Sequence, residues 1–152
     1  MKYIHPFYIG LPNSILLVAA FLSSLFFSTS LTSVLFSSWI LKILGILLIL
    51  SVFILENMSH KVHKQAHAKA ENVNKIVEIG IYKKIRHPIY LGWILLNIGA
   101  FIFIGNLSSL VIAIIFIFLW YLEAKQEEKF LEKKFKKYQD YEKRTGMFFP
   151  KL

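Results

Sequence analysis

No cysteine occurs anywhere in this chain of 152 residues. That absence excludes disulfides, thiol nucleophiles and thiolate metal sites, and it leaves the redox compartment undefined. Acidic residues are also scarce: nine Asp and Glu stand against eighteen Lys and Arg, a formal net charge of +9. A basic protein usually partners nucleic acid or anionic lipid. Here the bases lie beside long apolar runs in a chain that is 56% hydrophobic. The expected partner is therefore the membrane and its headgroups, with no nucleic acid. Charge is missing altogether from "STSLTSVLFSS", residues 28–38, and from the turn Gly105-Asn106.

Four apolar runs separate these stretches. Ile9–Phe27 and Trp39–Leu55 are long enough, with a few flanking residues, to cross ~30 Å of hydrocarbon at ~1.5 Å per residue. Ile89–Ile104 and Leu107–Leu122 are shorter, which suits little tilt or a locally thinned bilayer. The first run has one preceding base, Lys2, and a partner at hairpin distance, so it reads as a span and not as a signal peptide. Seven Lys and Arg lie between the second and third runs, and nine more follow Glu123. By the positive-inside rule the middle loop and both termini face the cytoplasm. The expected fold is all-α: one polytopic membrane domain over 1–152, with four transmembrane helices and cytoplasmic amphipathic helices. It divides into an N-terminal two-span hairpin (1–55), a cytoplasmic loop (56–88), and a second two-span hairpin with a C-terminal cytoplasmic helix (89–152). Every polar cluster then falls on one side of the membrane.

In the middle loop, Met58, Val62, Ala66, Ala70, Val73 and Val77 recur at helical spacing, as in a helix lying at the interface. Glu56, His60, His63 and His67 share a stripe that could hold a metal. No second helix supplies matching ligands, so the stripe reads as a polar flank and no metal is expected. Further on, "IRHPIYLGW" places Arg86 and His87 just before Pro88, and proline suits the first turn of a helix. A helix N-terminus with an arginine beside it makes an anion site. Taken alone, Arg86 reads equally well as a base snorkelling to lipid phosphate. In the tail, Leu131, Phe135 and Tyr138 form an apolar stripe, so the fourth span runs on as an amphipathic helix. Glu123 and Glu127 share a face there, an unfavourable pairing that asks for a cation, and Glu128 adjoins them. Acids at a span end mark functional sites.

These segments together resemble the isoprenylcysteine carboxyl methyltransferase and phospholipid methyltransferase group of integral membrane enzymes. The resemblance rests on Gly80-Ile81-Tyr82, then Arg86-His87-Pro88-Ile89-Tyr90-Leu91-Gly92. Beyond the hairpin it continues with Glu127-Glu128, Leu131, Phe135, Tyr138, Tyr141, Thr145-Gly146 and Pro150. It covers 79–150, almost half the chain, in order. It implies a methyltransferase dependent on S-adenosylmethionine, with the cofactor on the cytoplasmic side and a lipid or small hydrophobic acceptor entering from the bilayer. Carried over residue by residue, it implies that Tyr82, His87, Tyr90 and Tyr138 line the cofactor site, that Gly92 permits close approach of backbone or cofactor, and that Glu127 and Glu128 bind the cofactor's polar groups or lock Arg86. Arg86 and Glu128 are the implied catalytic pair, and Tyr141 joins the aromatic wall. Methyl transfer chiefly requires alignment and stabilisation of changing charge, which carboxylates and aromatic faces supply around a sulfonium.

The chain departs from the isoprenylcysteine pattern at Lys125, where an arginine precedes the acidic pair, and at Lys136, where a glycine follows it. An acceptor carboxylate prefers the bidentate fork of arginine. A prenylcysteine is thereby disfavoured, while a phospholipid amine, a small thiol or another lipid stays open. Two other readings use the same residues: a nicotinamide-dependent membrane reductase of the sterol type, and a non-enzymatic protein whose basic faces hold anionic lipid. Ile89 stands where such reductases carry asparagine, and a lipid binder leaves the spacing of the two motifs unexplained.

Overall fold

The computed structural model describes residues 6–26, 38–63 and 72–151. Helices dominate: α1 (Phe7–Phe26), α2 (Trp39–Val62), α3 (Pro88–Ile104), α4 (Leu107–Lys134) and α5 (Tyr138–Arg144), with a 3₁₀ turn at Gly80–Lys83. No strand occurs among the described residues, and an isolated parallel bridge joins Ile85 to Gly146. By length and composition α1, α2 and α4 can cross a membrane, and α3 is a shorter apolar helix packed among them. The protein is thus an all-α, four-span integral membrane protein.

The helix ends follow from local chemistry. Pro88 opens α3 at the position where its missing N–H is not needed. Gly105, at φ 68°, turns the chain out of α3 through a left-handed conformation. Asn106 then starts α4 with a capping box: its side chain accepts from the Ser109 amide at 2.8 Å, while Ser109 Oγ faces the Asn106 amide. At 28 residues α4 is about 42 Å long at ~1.5 Å per residue, more than the ~30 Å of hydrocarbon. The excess of about 12 Å, roughly eight residues, puts the charged C-terminal end of α4 beyond the hydrocarbon.

Helix α3 is the hub. Gly92 and Gly99, on one face, meet Val52 and Gly45 of α2 running antiparallel. A Cβ on Gly99 would come within 2.5 Å of the Gly45 carbonyl oxygen, and one on Gly92 within 3.1 Å of Val52 Cα. Small residues at such crossings let backbones approach closely, the usual way helices associate in lipid. On its other side α3 meets α1 and α4 through a core of Ile9, Ile89, Tyr90, Phe116 and Trp120. Apolar side chains such as Ile15, Leu47, Phe53, Ile114 and Phe118 stay exposed, facing lipid. These contacts bring the start of α1, the end of α2, the start of α3 and the charged part of α4 to one side.

Two expectations need correction. The interface helix over Met58–Val77 stops at Val62; Ala66, Ala70 and His67 lie outside the described residues, and residues 73–79 are not helical. Val73 and Val77 are nonetheless buried, Val73 against Leu131, Tyr138 and Tyr141. Their spacing reflects tertiary burial and not a helical period. The tail helix is likewise interrupted: α4 ends at Lys134, Phe135 caps it, and α5 restarts at Tyr138.

Candidate functional site

The loop before α3, the aqueous end of α4 and the tail after α5 converge on Arg86 and His87. Arg86 Nε donates to Glu128 Oε1 at 2.7 Å. Its Nη1 donates to the carbonyl oxygens of Glu142, at 3.1 Å, and Thr145, and Nη2 lies 3.5 Å from the Glu142 carboxylate. The backbone reinforces this: Arg86 N–H donates to Gly146 O at 2.9 Å, His87 N–H to Met147 O at 3.1 Å, and Gly146 N–H to Lys84 O at 3.3 Å. Arg86 and Glu128 are both buried. All of the arginine's nitrogens therefore tie three segments together, a use suited to its planar fork.

His87 sits between the acidic pair, with Nε2 3.2 Å from Glu128 Oε1 and Nδ1 3.5 Å from Glu127 Oε2. Burial alone would lower its pKa, but hydrogen bonds to Glu127 and Glu128 and their charge outweigh it and raise it. For Glu128, burial would raise the carboxyl, and His87 and Arg86 together overcome that and hold it below the usual carboxylate range. The acidic pair thus favours the protonated form of the imidazole set between them. The His87 ring stacks on Tyr90, with centroids 5.3 Å apart and planes 6° apart. Tyr90 in turn leans on Trp120 at 5.3 Å.

Beside this cluster lies a cleft with about 610 Å³ of open space. Tyr82, Arg86, His87, Tyr90, Glu127 and Tyr138 all line it, as do residues that sequence reasoning did not single out for this site, Lys75 and His63 among them. Burial pushes the Tyr82 phenol up to about 12, Ser59 opposing, and pushes Tyr138 and Tyr141 higher still. All three are neutral hydroxyls at physiological pH. Tyr141 OH donates to the Tyr82 carbonyl at 2.6 Å, which closes one wall. The Tyr138 hydroxyl is buried with no hydrogen-bond partner, a state that marks a place for one.

Two of the expected site residues do not line the cleft. Gly92 is outside the cleft lining, turned to α2. Glu128 is behind the lining, holding Arg86 and His87. The histidine stripe is dispersed too: His63 packs edge-on against Tyr82 at 5.5 Å, while Glu56 lines a second cavity. Among the described residues no group of three or more His, Asp or Glu could hold a metal. The tail's clamp through Gly146 and Met147 escaped residue-by-residue reading because its acceptors are backbone carbonyls; the Thr145-Gly146 pair was its visible trace.

With this geometry in place, comparison with known proteins decides the family. The family model for phospholipid methyltransferases matches residues 35–138, more than half of the chain. The chain belongs to the phospholipid methyltransferase family. No curated protein and no solved structure matches it. Membership makes the protein an integral membrane methyltransferase, and the match spans both the Arg-His-Pro segment and the acidic pair.

Proposed function

We propose that this membrane methyltransferase uses S-adenosylmethionine, bound in the cleft at the aqueous end of α3 and α4, and methylates a lipid-linked or small hydrophobic acceptor. The observation that carries the reading is the convergence of His87, Tyr90, Glu127 and an unpartnered, buried Tyr138 hydroxyl on one cleft. The residues fit the cofactor chemically. Glu127 offers a carboxylate for an ammonium or ribose hydroxyls, and Lys75 offers a cation for a carboxylate. Tyr82, Tyr90 and Tyr138 offer aromatic faces for an adenine ring or a sulfonium. When bound, the cofactor supplies an electrophilic methyl group on sulfur.

The protein's own residues then have three tasks. Glu127, Tyr138 and Tyr90 bind and orient. His87, set between Glu127 and Glu128, fixes Glu127 in place and presents a stacked ring with Tyr90. Arg86 and Glu128, placed here as positioning residues, join the loop to α4 and the tail so that the cleft keeps its shape. Such preorganisation is what an in-line displacement asks of an enzyme.

The test is calorimetric titration of the full-length protein in detergent with S-adenosylhomocysteine, with NADPH in parallel. Saturable binding of the first alone is expected, and Tyr138→Phe weakens it. Binding of NADPH alone would overturn the reading in favour of a reductase.

A further inference from the structure

On the aqueous side, a groove with about 780 Å³ of open space lies where the break between α4 and α5 faces the loop before α3. Lys75 enters it from the loop, and Lys134, Lys136 and Lys137 enter it from the break. All four lysines are exposed. Phe135 sets them there: it takes an extended conformation, ends α4, and keeps Lys136 and Lys137 from continuing along the helix axis. Lys134 lies over the Phe135 ring, 5.7 Å from its centroid. Glu78 is the groove's one acid among the described residues, and Arg144 already engages it at 2.9 Å. Lys75, Lys136 and Lys137 form no ion pair among the described residues. Four like charges so placed repel one another, and an anion among them relieves that repulsion. The groove also shares Lys75 and Ile76 with the cofactor cleft, so it opens onto the cleft's edge.

We propose that this groove holds the headgroup phosphate of an anionic phospholipid, and that the bound lipid tightens cofactor binding in the adjoining cleft. The inference rests on the S-adenosylmethionine reading above and adds a means of regulation to it. Depth and charge select the occupant. The end of α4 stands about 12 Å beyond the hydrocarbon, close to the headgroup layer. Lysines clustered directly after a span on the cytoplasmic side attract anionic lipid. A zwitterionic lipid brings an ammonium with its phosphate and leaves the repulsion in place. The effect on the cofactor follows from its charge. S-adenosylmethionine carries a sulfonium, an ammonium and one carboxylate, so it is a net cation. S-adenosylhomocysteine lacks the sulfonium and is neutral overall. Lysines at the mouth of the cleft therefore oppose the first and not the second. A phosphate seated among Lys134, Lys136 and Lys137 cancels that opposition, and Lys75 stays available to the cofactor's carboxylate.

The decisive measurement is calorimetric titration of the full-length protein in nanodiscs, made of phosphatidylcholine alone or of phosphatidylcholine with phosphatidylglycerol. Phosphatidylglycerol should tighten S-adenosylmethionine roughly fivefold, the worth of about one lysine beside an anionic surface, and leave S-adenosylhomocysteine unchanged. High salt should remove the difference. The double variant Lys136→Gln, Lys137→Gln should bind S-adenosylmethionine more tightly than wild type in pure phosphatidylcholine. It should also lose the response to phosphatidylglycerol. A response that persists in the variant would come from the bilayer's overall surface potential and would overturn the groove assignment. A shift of both ligands alike, or of neither, would overturn the charge mechanism. The same tightening with soluble glycerol phosphate in pure phosphatidylcholine would overturn the lipid as the source. If wild type binds neither ligand in either disc, the fault lies with the cofactor reading, and spin-labelled phosphatidylglycerol tests the groove by itself. The labelled lipid should be held beside wild type more than beside the variant, and equal retention would overturn the site.

Discussion

The two ends of the α3–α4 hairpin are built in opposite ways. At the far end, Gly105 and Asn106 close the turn with contacts that reach three or four residues along the chain. At the aqueous end, Arg86 reaches Glu128, Glu142 and Thr145, partners 42 to 59 residues away. The first end is a local structure that forms as its own residues arrive. The second is assembled from three distant segments around buried charge, an arrangement worth keeping only where a site must be held in shape. The difference teaches where to look for chemistry: the end stabilised by backbone caps needs no explanation beyond folding, and the end stabilised by a buried ion pair does.

The largest contrast comes from breaking the charged end. Arg86→Ala leaves the buried Glu128 with His87 and the more distant Lys125 as its remaining bases, and loss of one partner of a buried ion pair typically costs up to about 3–5 kcal/mol. Thermal unfolding should show that loss, S-adenosylhomocysteine binding should vanish, and membrane insertion should persist. Arg86→Lys should rescue little, because an ammonium cannot serve Glu128 and the two carbonyls in the same plane.

Next in size is the helix crossing in the spans. Gly99→Leu forces a side chain against the Gly45 carbonyl and should cost about 1–3 kcal/mol by overpacking. Because Gly92 lies on the same face, Gly92→Ala should act in the same direction and more weakly, its nearest neighbour being 3.1 Å from the added Cβ. Thermal stability in nanodiscs measures both.

The ion cluster also predicts a pH window. The pKa of His87 is raised on folding, so its contribution to stability is complete below 6.5 and fades as pH rises through the folded value. That of Glu128 is lowered, so its contribution is complete above 4.5 and fades as pH falls through the folded value. Both are fully present between 4.5 and 6.5. A melting-temperature profile should therefore decline on both sides of that window, and His87→Asn should flatten the alkaline limb and also weaken the acid limb, because His87 is the larger of the two influences holding Glu128 down.

The smallest effect belongs to the far end. Asn106→Ala removes a capping box and should cost about 1 kcal/mol. Cofactor binding should stay unchanged. If Asn106→Ala weakened binding as much as Arg86→Ala, the division of the hairpin into a structural end and a functional end would be wrong.

Much of this was legible in the sequence, for identifiable reasons. Pro88 marks the start of α3, and Gly105-Asn106 marks its exit, because each residue type has one dominant use at a helix end. The pairing of Arg86 with the acidic pair was legible because buried charge demands countercharge. The break between α4 and α5 was not, since neither glycine nor proline announces it and Leu131 and Tyr138 are both buried on either side. The non-helical course of residues 73–79 was hidden in the same way: the valines look periodic, but Val73 owes its burial to α4 and α5. At Gly92 the motif left open whether backbone or cofactor comes close, and in the fold the close neighbour is the backbone of α2 at Val52. Glu56 stood in view as part of a histidine stripe, and only the fold separates it from His63 and sets it among tryptophans.

The bridge between Ile85 and Gly146 has a consequence for the order in which the protein matures. All four spans are complete in the chain by the end of the apolar run of α4, well before Thr145 leaves the ribosome. The clamp on Arg86 and His87 needs the carbonyls of Thr145, Gly146 and Met147, which are synthesised afterwards. Insertion into the bilayer therefore precedes assembly of the cleft. A chain already threaded through the membrane lacks this clamp until residues 145–147 fold back onto the loop at Ile85.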